Sequence, residues 1–299
     1  MNQAENKIVR GQTDFIDEID LADIWKILFK GKWVVLLFVA LFSIISIFYS
    51  LSIPNMYKAS AVLVPADSSS GGAGLAGPLS GLASIAGITV GSGDSSKVSI
   101  AMEIIESWGF IEEFISKHEI APEVLAIKGW DNKTGEMLYN IDLYDSKARK
   151  WKSLSKGGEE FVPSSWRLYQ KFKGFLTLNV DKKSGLITIS IEHVSPDLAK
   201  SWVDLLIADI NEYMRDLDSL EATESIKFLK NQLTNTEIND MQKIFYRLIE
   251  DQMKVLMLAE ASQEYALKTI SKAKVPEQKS KPKRSIICIL GALFGLFIG

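Results

Sequence analysis

Three places in this sequence hold residue types that do chemistry in other contexts. Gly91-Ser-Gly93-Asp-Ser-Ser-Lys97-Val-Ser99 has the glycines and lysine of a phosphate-cradling loop. A Walker A loop needs glycine directly before its lysine, so that main-chain amides can wrap the phosphate; Ser96 stands there instead, and a plain loop is expected. The two histidines, His118 and His193, lie far apart without cysteines or paired acids at metal-ligand spacing. Both are expected to be structural or surface residues. Third, Trp130, Tyr139, Tyr144 and Trp151 surround a Lys133-Thr-Gly135 turn and could offer ring faces to a sugar. The commoner role for such aromatics is the core or interface of a small domain, and that is the expectation here. No Gly-x-Ser-x-Gly elbow, His-Glu-x-x-His pair or dinucleotide fingerprint occurs. The residue pattern calls for no catalytic group, metal or cofactor, and the protein is not expected to be an enzyme.

Composition narrows the class. Of 299 residues, 47% are hydrophobic and 24% charged, as in an ordinary folded chain. A net charge of −3 argues against binding nucleic acid through phosphate contacts. The sole cysteine, Cys288, sits in an apolar run, so the remainder has no disulfide, thiol nucleophile or cysteine-based zinc site. That usage suits an oxidising compartment.

Position is set by a different feature. Residues 33–53 contain no charge and would make a helix of roughly 31 Å, close to the hydrocarbon thickness of a bilayer. Trp33 and Tyr49 mark its edges and Pro54 ends it. A cleaved signal peptide is disfavoured, because 32 residues precede the run and the run exceeds a signal core. Lys26, Lys30 and Lys32 on one side against Lys58 on the other place the N-terminus in the cytoplasm. Before the span, Leu21, Ile24, Trp25 and Leu28 recur at helical spacing behind Asp20. A separate interfacial helix and the first turns of the same long helix both fit that pattern.

Beyond the span, 57–64 reads as a strand, and 67–96 as a Gly/Ser-rich segment with a short apolar helix. Residues 99–118 carry one helical apolar pattern, weakened at Gly109. A short helix is expected at 165–172, then a hairpin of strands 173–180 and 186–193 around Asp181-Lys-Lys-Ser-Gly185. Its second strand would turn Ile187, Ile189 and Ile191 inward. Ser195-Pro-Asp opens a long helix, with an apolar stripe through Leu198, Trp202, Leu205, Leu206, Ile210, Tyr213, Leu217 and Leu220. Thr234-Asn-Thr-Glu237 fits a capping box for a second helix, whose seam would be Met241, Phe245, Leu248, Gln252, Val255 and Ala259. A weak strand follows at 265–274. Pro276, Pro282, Lys283 and Arg284 lead into a second apolar run, 285–299, with glycines at 291, 295 and 299. Gly291, Gly295 and Gly299 would let helices approach closely in lipid, and Ala40, Ser43 and Ser50 of the first span would meet them. At roughly 22 Å the run is short, and its last turns are expected to lie beyond Gly299.

The expected fold is α+β, a two-span membrane protein with long projecting helices. Residues 1–32 form a cytoplasmic segment, 33–53 the first transmembrane helix, and 54–284 a domain on the outer side of the membrane, which the family resemblance given below makes periplasmic, with a helical hairpin at about 196–262. Residues 285–299 form the second, incomplete transmembrane helix.

Several motifs together resemble one family. Ile19-Asp20-Leu21, Trp25-Lys-Ile-Leu28, Lys32-Trp33, Pro54 and Tyr57-Lys-Ala-Ser-Ala-Val-Leu-Val64 resemble the opening of Wzz-type chain-length determinants, the polysaccharide co-polymerases. Ser195-Pro-Asp-Leu-Ala199, Trp202-Val203 and Asn211-Glu-Tyr213 resemble the start of that family's long helix. Lys272-Ala-Lys-Val-Pro276, Pro282-Lys-Arg284, Gly291 and Gly295 resemble its approach to the second span. The resemblance implies a non-enzymatic regulator of surface polysaccharide length, such as O-antigen lipopolysaccharide, in the bacterial inner membrane with both termini cytoplasmic. It implies a homo-oligomeric ring of about eight protomers. It also implies a membrane polymerase, a lipid-linked polysaccharide and the lipid bilayer as partners, and no nucleic acid. Two departures touch ring geometry and preferred length: Lys279 replaces the middle proline, and the helical region is shorter than in many members. Rival readings are the membrane domain of a capsule- or exopolysaccharide-export tyrosine-kinase relative, and a two-span sensor or scaffold unrelated to polysaccharide.

Overall fold

A computed structural model describes residues 32–66, 93–131, 134–152 and 162–298. The expectations for 1–31, for most of the Gly/Ser-rich segment and for Gly299 lie outside the described residues.

In chain order the elements are α1 (Lys32–Ser52), β1 (Met56–Pro65), α2 (Gly93–Glu106), α3 (Trp108–Lys117) and α4 (Ala121–Leu125). Short strands β2 (Ile127–Trp130), β3 (Met137–Tyr139), β4 (Tyr144–Asp145) and β5 (Lys150–Trp151) follow. Then come α5 (Ser165–Lys173), β6 (Leu176–Val180), β7 (Ile187–His193), α6 (Pro196–Thr234) and α7 (Asn239–Ala261). The chain closes with β8 (Leu267–Ser271), β9 (Lys279–Lys281) and α8 (Arg284–Ile298). Two compact units result: 1–53 with 283–299, and Pro54–Pro282.

In the first unit, α1 packs against α8. Among the described residues α1 is the one helix long and apolar enough to cross a membrane; α8 is apolar and shorter.

In the second unit β1 is the organising strand. β7 pairs with it antiparallel from Tyr57↔His193 to Leu63↔Ile187. The opposite edge is shared end to end by β8, at Val62 to Pro65, and β9, at Met56 and Tyr57. β6 completes the sheet beyond β7, with Leu176↔Ile191, Leu178↔Ile189 and Val180↔Ile187 in register. The hairpin turn uses Gly185 at φ 70°, a conformation that glycine adopts without Cβ strain. Alternation sends Tyr57, Ala59, Ala61 and Leu63 inward from β1, and Ile187, Ile189 and Ile191 inward from β7. The N-terminal half of α6 lies over this face through Ala199, Trp202, Val203, Leu206 and Ile210. Alanines at 59, 61 and 199 let it come close. Fully burying an isoleucine or leucine stabilises by about 1.5–3 kcal/mol, so this layer dominates the core.

Asn211, buried in α6, fixes the return strand. Its Nδ2 donates to the Leu267 carbonyl at 3.0 Å and to the Ile207 carbonyl at 2.9 Å. Its Oδ1 accepts from the amides of Ala266 and Leu267, both at 2.8 Å.

Four expectations are corrected. The single helix over 99–118 is two, because Ser107 breaks it and caps α3, its Oγ accepting from the Phe110 amide at 3.3 Å. The stretch 234–237 is not a capping box. Thr234 and Thr236 donate back to the carbonyls of Asn231 and Gln232, which need acceptor partners at the end of α6. α7 starts at Asn239 without a side-chain cap. Of its expected seam, Phe245, Gln252, Val255 and Ala259 are half-buried or buried and are joined by Gln242 and Ile249, while Met241 and Leu248 are exposed. On α6 the expected Trp202, Leu206 and Ile210 are buried, joined by Val203, Ile207 and Met214, while Tyr213, Leu217 and Leu220 are exposed.

Candidate functional site

The small residues of the apolar helices meet at close range. A Cβ built on Gly291 would lie 2.5 Å from Ser46 Cβ and 2.6 Å from Ser46 Oγ. One built on Gly295 would lie 2.7 Å from Val39 Cα and 2.9 Å from the Phe38 carbonyl oxygen. Only glycine fits at either point. The α1 face turned to α8 therefore follows positions 39, 42–43, 46 and 50, with Ser43 half-buried and Ser50 buried. Ala40 is exposed and off this row, since one residue turns the helix by about 100°. Its expected packing role is withdrawn. Ser46 takes the place opposite Gly291. Its hydroxyl satisfies itself on the Ser43 carbonyl at 3.0 Å.

The approach residues divide between the units. Pro276 and Pro282 flank β9 and belong to the sheet-containing unit, while Lys283 and Arg284 open α8. The Lys281–Pro282 peptide is cis. Ser280 donates to the Met56 carbonyl at 3.1 Å, and Lys281 pairs with Glu192. Burial works to raise the Glu192 pKa; the bonds from Lys281 and Ser280 outweigh it, and the carboxyl sits below its ordinary value.

His193 and His118 have opposite surroundings. His193 is 2% exposed, with Trp202 at 4.7 Å and Phe175 at 5.4 Å between ring centroids. Its Nδ1 accepts from the Ser195 amide at 3.2 Å, which leaves Nε2–H to donate to the Glu123 carbonyl at 3.3 Å. Burial pushes its pKa down to about 4, so the ring is neutral and structural. His118 instead touches Asp209 at 2.7 Å, and Lys117 bonds Asp209 at 3.1 Å and Glu212 at 2.7 Å. Hydrogen bonds to Glu212 and then Asp209 hold the Lys117 pKa above its usual value. This cluster joins α3 to α6 beside a cleft of about 390 Å³ lined by Phe110, Tyr213 and Leu217. Among the described residues no group of three or more His, Cys, Asp or Glu is placed to hold a metal ion.

Of the 130–151 aromatics, Tyr139, Tyr144 and Trp151 pack on one another at 5.5 and 5.2 Å. Tyr139 donates to Glu123 Oε1 at 3.1 Å; burial first, then that carboxylate, raises its pKa. They form a small local core, with no open ring face at Tyr144. The exposed platform lies elsewhere, where no single sequence window could find it. Trp108, at the start of α3, and Trp166, on α5, meet edge to face at 5.0 Å, with Tyr169 stacked on Trp108 at 6.4 Å. Trp108 and Trp166 remain 46% and 48% exposed.

The family model for Wzz, chain length determinant protein, matches residues 17–118. No curated protein matches the chain. Among solved structures, one described as a full-length bacterial polysaccharide co-polymerase is similar at 14% identity and a TM-score of 0.35, over 93% of this chain and 94% of that one. A fragment of WzzB, the polysaccharide co-polymerase from Salmonella Typhimurium, is similar at 12% identity and a TM-score of 0.26, over 76% of this chain and all of that one. At such scores the structural likenesses carry no argument, and the weight rests on the family match.

Proposed function

We propose that this chain, which carries the Wzz chain length determinant region over residues 17–118, regulates the length of a surface polysaccharide without making or breaking glycosidic bonds itself. That match is the observation that carries the reading. The architecture is compatible with it: an apolar helix long enough to span, a mixed α/β unit, and a second apolar helix that packs on the first through glycines. In this reading α1 and α8 both cross the bacterial inner membrane, both termini face the cytoplasm and residues 54–282 face the periplasm. The lysines before α1 support that orientation. Protomers assemble into a ring and act on a membrane polymerase and its lipid-linked product, as a scaffold that decides when extension stops.

The test is a chromosomal deletion, with surface polysaccharide resolved on a gel. The expected result is loss of the modal band in the ladder, restored by the gene on a plasmid. An unchanged ladder would refute the proposal. A phosphatase reporter inserted in the 181–185 turn checks orientation: it is active if that turn is periplasmic and silent if it is cytoplasmic.

A further inference from the structure

We infer that the groove between α3 and α5 is a saccharide-binding site for neutral or amino-bearing sugar units; its place in the cell rests on the polysaccharide reading above. The floor at one end is the Trp108–Trp166–Tyr169 cluster. The Trp108 indole N–H donates to Ser165 Oγ at 2.7 Å, which fixes the ring while it stays half exposed. Tyr169 O–H donates to the Glu106 carbonyl at 3.2 Å, and Lys173 pairs with Glu106 at 3.0 Å while lying 5.9 Å from the Tyr169 ring centre. The rings are thus fixed before any ligand arrives, which lowers the ordering cost of binding.

A cleft of about 370 Å³ adjoins this cluster at Ser165, within the size range of small-ligand sites. Glu112, Ser116 and Glu119 line one wall; Ser165 and Leu168 line the other. Trp108, Glu112 and Ser116 are four residues apart and share one face of α3, a row of roughly 12 Å. That is an elongated site with apolar ring faces at one end and hydroxyl and carboxylate edges along its sides. A pyranose has matching surfaces, one face of C–H groups and a rim of hydroxyls. A peptide side chain would need a deep apolar socket, whereas this cleft is bordered by the polar groups of Glu112, Ser116, Glu119 and Ser165. Among the described residues the cleft lining holds two carboxylates and no cation, which disfavours a polyanionic glycan and favours a neutral or ammonium-bearing one.

The full chain in lipid nanodiscs is tested by saturation-transfer NMR against maltotetraose, chitosan tetrasaccharide, tetragalacturonate and tetralysine. Saturation should reach the first two and not tetragalacturonate. Trp166→Ala should weaken binding about tenfold and Trp166→Phe less, as expected for loss of one ring contact. Circular dichroism should stay unchanged, because Trp166 is half exposed. The inference is overturned if neither of the first two sugars binds, if Trp166→Ala binds them as well as the parent, or if tetralysine alone binds. The ladder separates this from the wider reading. A deletion that alters the ladder while no sugar binds the protein refutes the site alone. Sugar binding with an unchanged deletion ladder refutes the polysaccharide reading and keeps the site.

Discussion

The contact between α1 and α8 makes a sharp prediction, because its two glycines face different kinds of atom. Gly291→Ala would place a methyl 2.5 Å from Ser46 Cβ, about 1 Å inside ordinary contact. Either the helices separate or the serine yields, and overpacking of this kind costs about 1–3 kcal/mol. Removing the opposing Cβ relieves it, so Ser46→Gly combined with Gly291→Ala should recover most of the loss. Gly295→Ala meets the main chain instead, at Val39 Cα and the Phe38 carbonyl. Val39→Gly leaves both atoms in place and should rescue nothing. The assay is energy transfer between dyes at positions 34 and 297, both exposed, during SDS titration of a Cys288→Ser background in mixed micelles. The 46/291 double-mutant cycle should show coupling of about 1 kcal/mol or more, and the 39/295 cycle close to none. Equal coupling in both cycles, or none in the first, would refute the packing argument.

Three further outcomes follow from the second unit. His193 is neutral in the folded chain with its pKa at about 4, against about 6.5 when unfolded, so the unfolded state binds the extra proton between those values. Its contribution is whole above pH 6.5 and declines toward pH 4 by up to about 3 kcal/mol; His193→Gln should flatten that part of a denaturation-versus-pH profile. Asn211→Ala strands the Ala266 amide and the Leu267 amide and carbonyl, and should cost about 3 kcal/mol or more by urea denaturation. Glu119 sits at φ 52°, one residue past the α3 cap, where its amide reaches the Ser116 carbonyl and the Ile120 amide reaches that of Ile115. Glycine suits that place better, and Glu119→Gly should raise stability by about 0.5–1 kcal/mol in the same assay.

Local rules made the β6–β7 hairpin and the start of α6 readable, because alternation, Gly185 and Ser195-Pro196 act within a few residues. Rotation about a helix was harder to read. Hydrophobicity favoured Met241 and Leu248 for the seam of α7, yet Gln242 takes an inward place because its Nε2 reaches the Thr236 carbonyl at 2.7 Å. A polar side chain that carries its own partner is not counted by an apolar stripe. The same limit misplaced Ala40 and hid Ser46. Chemistry assembled across the fold was out of reach: Asp209 is distant in sequence from His118, and Trp166 from Trp108. Tyr139 and Tyr144, which looked like candidates for a sugar platform, are occupied by a small core.

The shared edge of β1 has a mechanical consequence. The strand leaving α1 and the strand entering α8 are joined through two register pairs, Met56↔Lys281 and Tyr57↔Lys279, with an irregularity between them, and through the Ser280 bond to the Met56 carbonyl. Drawing residues 54 and 282 apart sideways would load those pairs one after the other, as a zipper is opened, and β9 would peel first. On its other edge β1 is held by seven pairs to β7, which must shear together when the pull runs along the strand. Lateral strain between the chain ends is therefore absorbed at a weak seam, while an axial pull is carried into the whole sheet. β9 is built as a fuse and β7 as an anchor.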